Sequence, residues 1–182
     1  MGWPGAFLPE QYGGLDCGFI ELGVVLQASG RTLVASPLFS SVALAASGIL
    51  LGGTEEQKSA LLPRIASGDL LVSLALEEGS HHNPTAIATT AAPQQDGYVI
   101  NGCKVHVIDG HVADQFIVVA RTGGATGDEQ GISLFMVQRA RRGVAVARRM
   151  MVDSRNMAEV RLQDVKVSRD DLLGELHQGY PL

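Results

Sequence analysis

Apolar residues recur with a helical period from about residue 16 to residue 68, and from about Asp69 onward the period switches to two. In the first stretch, Asp16 is placed to cap a helix from about Gly18 to Ser29, with Ile20, Val24 and Leu26 among its apolar positions. Ser36-Pro37 reads as a second cap, with proline at the first helical position, where its missing N–H is not needed. Thr54-Glu55-Glu56-Gln57 has the spacing of a capping box; Pro63 breaks or restarts that third helix, and Gly68 stops it. All three segments are apolar over much of their circumference and are expected to be buried on more than one side. The second stretch predicts strands at residues 70–76, 86–92, 98–108, 115–121, 131–137, 144–150 and 157–162. Asp109-Gly110-His111 sits between two β-type runs and predicts a hairpin, because an Asp-Gly pair tolerates the positive φ of a primed turn. Helices followed by strands give an α+β chain: a helical layer over 1–68, a small antiparallel β-barrel over 69–168, and a border segment over 169–182.

Composition narrows the classes. A chain of 182 residues that is 46% hydrophobic and 18% charged suits a soluble globular protein with a sizeable core. A net charge of -5 excludes a nucleic-acid binder, since the basic cluster from Arg139 to Arg149 is interrupted by apolar residues at strand spacing. The apolar run Pro37–Leu51 falls short of the roughly 20 residues that span a membrane and carries Ser40, Ser41 and Ser47, so it reads as a core helix. The N-terminus lacks the basic and apolar regions of a signal peptide, and two isolated cysteines fit a reducing cytoplasm. Core positions are expected at Ile100, Ile117, Val119, Leu134 and Met136.

Four ordered motifs carry a family resemblance. They are Pro9-Glu10-Gln11-Tyr12-Gly13-Gly14; Gly53-Thr54-Glu55-Glu56-Gln57-Lys58 with Leu62-Pro63 and Ala66-Ser67-Gly68; Asp96-Gly97-Tyr98, Asn101-Gly102, Lys104, Gly110 and Ala113-Asp114; and Asn156 to Val167 with Leu172-Leu173-Gly174 and Gly179. In this order and spacing, over more than 150 residues, the chain resembles the N-terminal and middle domains of acyl-CoA dehydrogenases. The resemblance implies α,β-dehydrogenation of an acyl-CoA thioester, with a carboxylate removing the α-proton and FAD accepting the β-hydride. It places that carboxylate in a C-terminal four-helix domain outside these residues. No catalytic residue is therefore assigned here, and the 182-residue chain alone is expected to be inactive, as a fragment, a truncated product or half of a split protein.

The resemblance also assigns cofactor contacts to Leu74, Leu76, Glu77, Glu78, His106, Val107 and Ile108, and substrate contacts to Ser80 and Asn83. Several of these depart from the family pattern: Leu74 replaces an aromatic residue, Glu77 a threonine, His106 a tryptophan and Ile108 a threonine. A carboxylate beside the pyrimidine end of a flavin opposes the negative charge that develops there on reduction, so FAD affinity is expected to be weak or absent. Two functions follow: a FAD-dependent dehydrogenase acting on acyl-CoA, or a non-catalytic partner subunit in a homo- or hetero-oligomer with another acyl-CoA dehydrogenase chain.

Other chemistry is less favoured. His81, His82, His106 and His111 lack the ligand spacing of a metal site and read as loop histidines. Cys103 alternates in phase with Val99, Val105 and Val107 and reads as a small core residue. Arg139, Arg141 and Arg142 either meet coenzyme A phosphates or form a solvated turn, the latter being the plainer reading. Gly123–Gly127 reads as a flexible hairpin loop, without the lysine and helix of a phosphate loop.

Overall fold

The computed structural model describes residues 2–153 and 156–182. Two short 3-10 turns (Trp3–Gly5 and Glu10–Tyr12) precede α1 (Phe19–Arg31), a π-helical segment (Leu38–Ala46) running into α2 (Ser47–Gly52), and α3 (Glu55–Ser67). Eight strands follow: β1 (Val72–Ala75), β2 (Thr90–Gln94), β3 (Gly97–Ile108), β4 (Gln115–Arg121), β5 (Ile132–Gln138), β6 (Val144–Met150), β7 (Asn156–Ser168) and β8 (Leu172–Leu173). The α+β order and the switch in period near residue 69 thus stand.

Local signals account for α3. The Thr54 hydroxyl accepts the Gln57 N–H while the Gln57 side chain accepts the Thr54 N–H, and Gly68 ends the helix at φ 83°, where a side chain would be strained. Pro63 does not break it: buried Leu62, Ile65 and Ala66 hold the turn against the helical layer. Three other local expectations are corrected. Asp16 does not cap α1; it sits in the left-handed region at φ 52°, its N–H donating to the Leu8 carbonyl, and Gly18 occupies the cap position. The Pro37 segment is π-helical, and its consecutive Ser40 and Ser41 are both buried and both bonded to the sheet region, through Asp109 and the Val72 N–H. A wider turn lets neighbouring residues face one way. Finally, α1 buries only Leu22, so its apolar surface is largely exposed.

Along the sheet the order is β6-β7-β3-β2-β4-β5-β8, with β1 also on β4. Most pairings are antiparallel, but β1 runs parallel to β4, from Val72 beside Gln115 to Ala75 beside Val118, so the barrel is mixed. The chain leaves β1 through a long excursion before re-entering the sheet, and this allows the parallel pairing. The Asp109-Gly110 hairpin is also corrected, because β2 lies between β3 and β4. Asp109, not Gly110, adopts positive φ, and Gly110 is needed for space: a Cβ there would meet Val107 at 2.7 Å.

Two cores result. Ile117, Val119, Leu134 and Met136 face the helices, while Phe116, Val118, Phe135 and Val137 face the inside of the curled sheet with Ile100. All five expected core positions are buried. Curling is direct at Tyr98 and Phe135: they lie on β3 and β5, three places apart in the sheet, yet their ring centroids are 5.1 Å apart. A flat sheet would separate those strands by about 14 Å.

Candidate functional site

Beyond β1 the chain runs on beside β3, where the Val105 N–H donates to the Glu77 carbonyl at 2.8 Å. Two register shifts interrupt the β3–β7 ladder, between Ile100 and Gly102 and between Lys104 and Val107, and the second brings Val107 inward out of phase with buried Ile100 and Lys104. Cys103 is exposed, against the core position its alternation predicts, and Lys104 is fully buried. The Lys104 ammonium donates to the Leu76 carbonyl at 3.0 Å and lies 2.5 Å from the Glu78 carboxylate. Glu78 also accepts the N–H groups of Ala88, at 2.7 Å, and Thr89, at 3.0 Å.

This buried pair fixes three backbone segments to one another. Burial pushes the Glu78 carboxyl up, but the Lys104 charge and the hydrogen bonds from Lys104, Thr89 and Ala88 outweigh it and hold the carboxyl below its ordinary range. Burial dominates at Lys104 and moves its ammonium below the usual lysine range despite the Glu78 charge. Glu78 is thus engaged by the scaffold. That role was missed in its sequence assignment as a cofactor contact, although a lone lysine within the apolar run from Val99 to Ile108 was a signal for it.

Glu77 behaves differently. Its carboxylate lies 2.5 Å from His82 Nδ1, with the Glu77 side chain 22% and the His82 side chain 71% exposed. Beyond it the loop is exposed, and its polar groups satisfy one another: Ser80 Oγ meets His81 Nδ1 at 3.0 Å, and the Thr85 hydroxyl donates to the Asn83 side-chain carbonyl at 3.1 Å. Leu74 and Leu76 are half-buried against the helix-facing core. On β3, His106 is exposed at φ 52°, Val107 turns its side chain into the inner core, and Ile108 is half-buried.

The structure therefore joins Leu76, Glu77 and Glu78 to β3 by hydrogen bonds and an ion pair, with His106 to Ile108 on that same strand. Ser80 and Asn83 lie on the exposed loop beyond. The arginines are not part of this face. Arg139 donates to the His111 carbonyl at 2.6 Å, and Arg141 pairs with Asp171 at 2.8 Å while donating to the Lys166 carbonyl. Among the described residues no group of three or more His, Cys, Asp or Glu is placed to hold a metal. No helix among them is long and apolar enough to cross a membrane.

The side chains of this face do not fit the FAD that the resemblance implies. The pyrimidine edge of a flavin offers the N1, O2 and O4 acceptors beside a single N3–H donor, and the group provided at Glu77 is a carboxylate, which cannot donate to those acceptors and is already bonded to His82. Val107 can offer only backbone atoms, and Ile108 offers no hydrogen-bonding side chain.

Residues 1–69 match the family description "Acyl-CoA dehydrogenase, N-terminal domain", and residues 74–165 match "Acyl-CoA dehydrogenase, middle domain". The chain is 30% identical over 185 residues to a 3-(aryl)acrylate reductase of Clostridium sporogenes, covering 98% of this chain and 49% of that protein. It is 33% identical over 192 residues to the mitochondrial very long-chain specific acyl-CoA dehydrogenase of Rattus norvegicus, covering 99% of this chain and 29% of the relative. Among solved structures, an acyl-CoA dehydrogenase from Geobacillus kaustophilus superposes with a TM-score of 0.86 at 31% identity, over 99% of this chain and 49% of that one. The ChsE4-ChsE5 complex from Mycobacterium tuberculosis gives 0.87 at 27% identity, over 99% and 47%. The chain spans half or less of the length of these proteins.

Proposed function

Because the chain belongs to the acyl-CoA dehydrogenase family, we propose that it serves α,β-dehydrogenation of an acyl-CoA thioester as a partner subunit that does not itself hold the flavin. The family is FAD-dependent; on this reading the FAD and the proton-removing carboxylate reside in a homologous subunit of the same assembly. The Glu77–His82 pair carries the proposal. A carboxylate where the family pattern has a threonine replaces a neutral donor with a charged acceptor, and an unmatched acceptor pair costs about 1–3 kcal/mol. Similarity to the two-protein ChsE4-ChsE5 complex supports a paired assembly.

A second reading, a dehydrogenase that holds FAD in its own right, is favoured by one observation. The Lys104–Glu78 pair and the Val105–Glu77 backbone bond keep the platform itself intact. The purified full-length protein separates the two. Colourless protein that acquires flavin absorbance only with a co-expressed family subunit supports the partner reading. Protein that is yellow by itself supports the dehydrogenase.

A further inference from the structure

At the end of β4, Arg121 is 8% exposed, yet among the described residues no carboxylate lies in its hydrogen-bond shell. A guanidinium has five N–H donors in a fixed fork. Here five hydrogen bonds go to main-chain carbonyls: Thr85 at 2.9 Å, Ile87 at 3.1 Å, Gly123 at 3.3 Å, Asp128 at 3.0 Å and Gln130 at 3.0 Å. The acceptors come from two stretches: the segment that follows the Asn83 loop, and the β4–β5 loop. Two backbone bonds reinforce the junction, Gly127 N–H to the Thr85 carbonyl at 2.9 Å and Arg121 N–H to the Thr89 carbonyl at 2.7 Å. The glycine-rich β4–β5 loop that reads as flexible is thereby tied at three carbonyls, those of Gly123, Asp128 and Gln130.

Segment 83–89 is held by two buried charges of opposite sign. Glu78 accepts the N–H groups of Ala88 and Thr89, and Arg121 donates to the carbonyls of Thr85 and Ile87. Each charge meets the backbone dipole end of opposite sign, so the segment is held from both ends. On its outer side the β4–β5 loop, with His177, lines a cleft of about 690 Å³.

We propose that Arg121 is a positioning residue. It locks the β4–β5 loop and segment 83–89 into one rim, and so sets the edge beside Ser80 and Asn83 for acyl-CoA binding. The acyl-CoA part of this claim rests on the function proposed above. Lysine cannot replace Arg121, because three donors on a point charge cannot satisfy five carbonyls arranged around a fork. Orphaned buried carbonyls rehydrate by opening the loop rather than the sheet.

The test compares wild type, R121K and R121M as full chains in their native assembly, by amide hydrogen exchange and by calorimetric titration with butyryl-CoA and palmitoyl-CoA. In both variants the Gly127 amide is expected to exchange about tenfold faster or more, with β3 and β5 amides unchanged, and butyryl-CoA affinity is expected to fall about tenfold. Methylguanidinium added to R121M is expected to restore part of the Gly127 protection. Unchanged protection at Gly127 would overturn the proposal. So would faster exchange spread evenly over the sheet with butyryl-CoA affinity per folded molecule unchanged, which marks a merely structural arginine. If wild type binds neither butyryl-CoA nor palmitoyl-CoA, the acyl-CoA part of the claim fails, and exchange alone then decides whether Arg121 holds the rim.

Discussion

The sheet and the helical layer draw on similarly apolar stretches of sequence, but only one of them covers itself. Strands β4 and β5 are buried on both faces, one against the helices and one inside the curl. Helix α1 buries Leu22 alone and leaves Phe19 at 65%, Ile20 at 81% and Val24 at 60% exposure. An apolar pattern states what must leave water, whereas the cover depends on topology. A curling sheet brings distant strands together; an amphipathic helix needs a neighbour.

Removing the buried charge that joins the sheet's segments should have the largest effect on that contrast. Lys104→Met strands Glu78 in a site 13% exposed and is expected to destabilise the fold by about 3–5 kcal/mol in urea titrations, as unpairing a buried charge does. A loss within about 0.5 kcal/mol would mean that the pair is hydrated. The same pair sets a pH dependence. The folded Glu78 carboxyl titrates below its unfolded counterpart, so its contribution is present above the ordinary carboxylate range and disappears as pH falls through the folded value. At the alkaline end Lys104 acts in the same direction: its depressed folded value means that the unfolded chain binds more protons, so the destabilisation this group carries at neutral pH is relieved as pH rises through its folded value. Acid titration of Glu78→Gln should therefore lack part of the wild-type slope.

Ile117→Ala, 1% exposed between β4 and the helices, should cost about 2–5 kcal/mol, read from the midpoint shift. Thr54→Ala removes the α3 cap and should cost about 1 kcal/mol. It also frees Gln57, whose amide donates to the carbonyls of Asp170 and Leu172, so a loss well above that value would locate energy in this helix-to-sheet link. Ile20→Ala, on the exposed face of α1, should change stability by less than about 0.5 kcal/mol in this chain. A large loss there would erase the distinction between the two regions.

Patterns that act over a few residues were legible in the sequence: the Thr54 capping box, the Gly68 stop, the period of β4 and β5, and the ordered motifs of the family. What escaped depended on contacts between distant segments. The register shift between Lys104 and Val107 breaks the alternation that makes Cys103 look buried: Val107 turns inward, whereas Cys103 lies out of phase with buried Ile100 and Lys104. Asp109-Gly110 has hairpin chemistry, but β2 takes the place beside β3. At the candidate site, Glu77 was legible as a departure from the family pattern, whereas its bond to His82 required the fold of the intervening loop. Arg121 gave no sign of its five carbonyl partners, because backbone acceptors leave no side-chain signature.

On the partner-subunit reading, a family fold carries a face unsuited to flavin, and FAD titration of the full-length protein, followed by flavin fluorescence, tests this most directly. Wild type is expected to bind weakly or not at all. Glu77→Thr combined with His106→Trp and Ile108→Thr should strengthen binding at least tenfold, by returning neutral donors and an aromatic surface to stack on the ring. Tight, stoichiometric FAD binding by the wild-type chain, unimproved by the triple substitution, would contradict the partner-subunit reading.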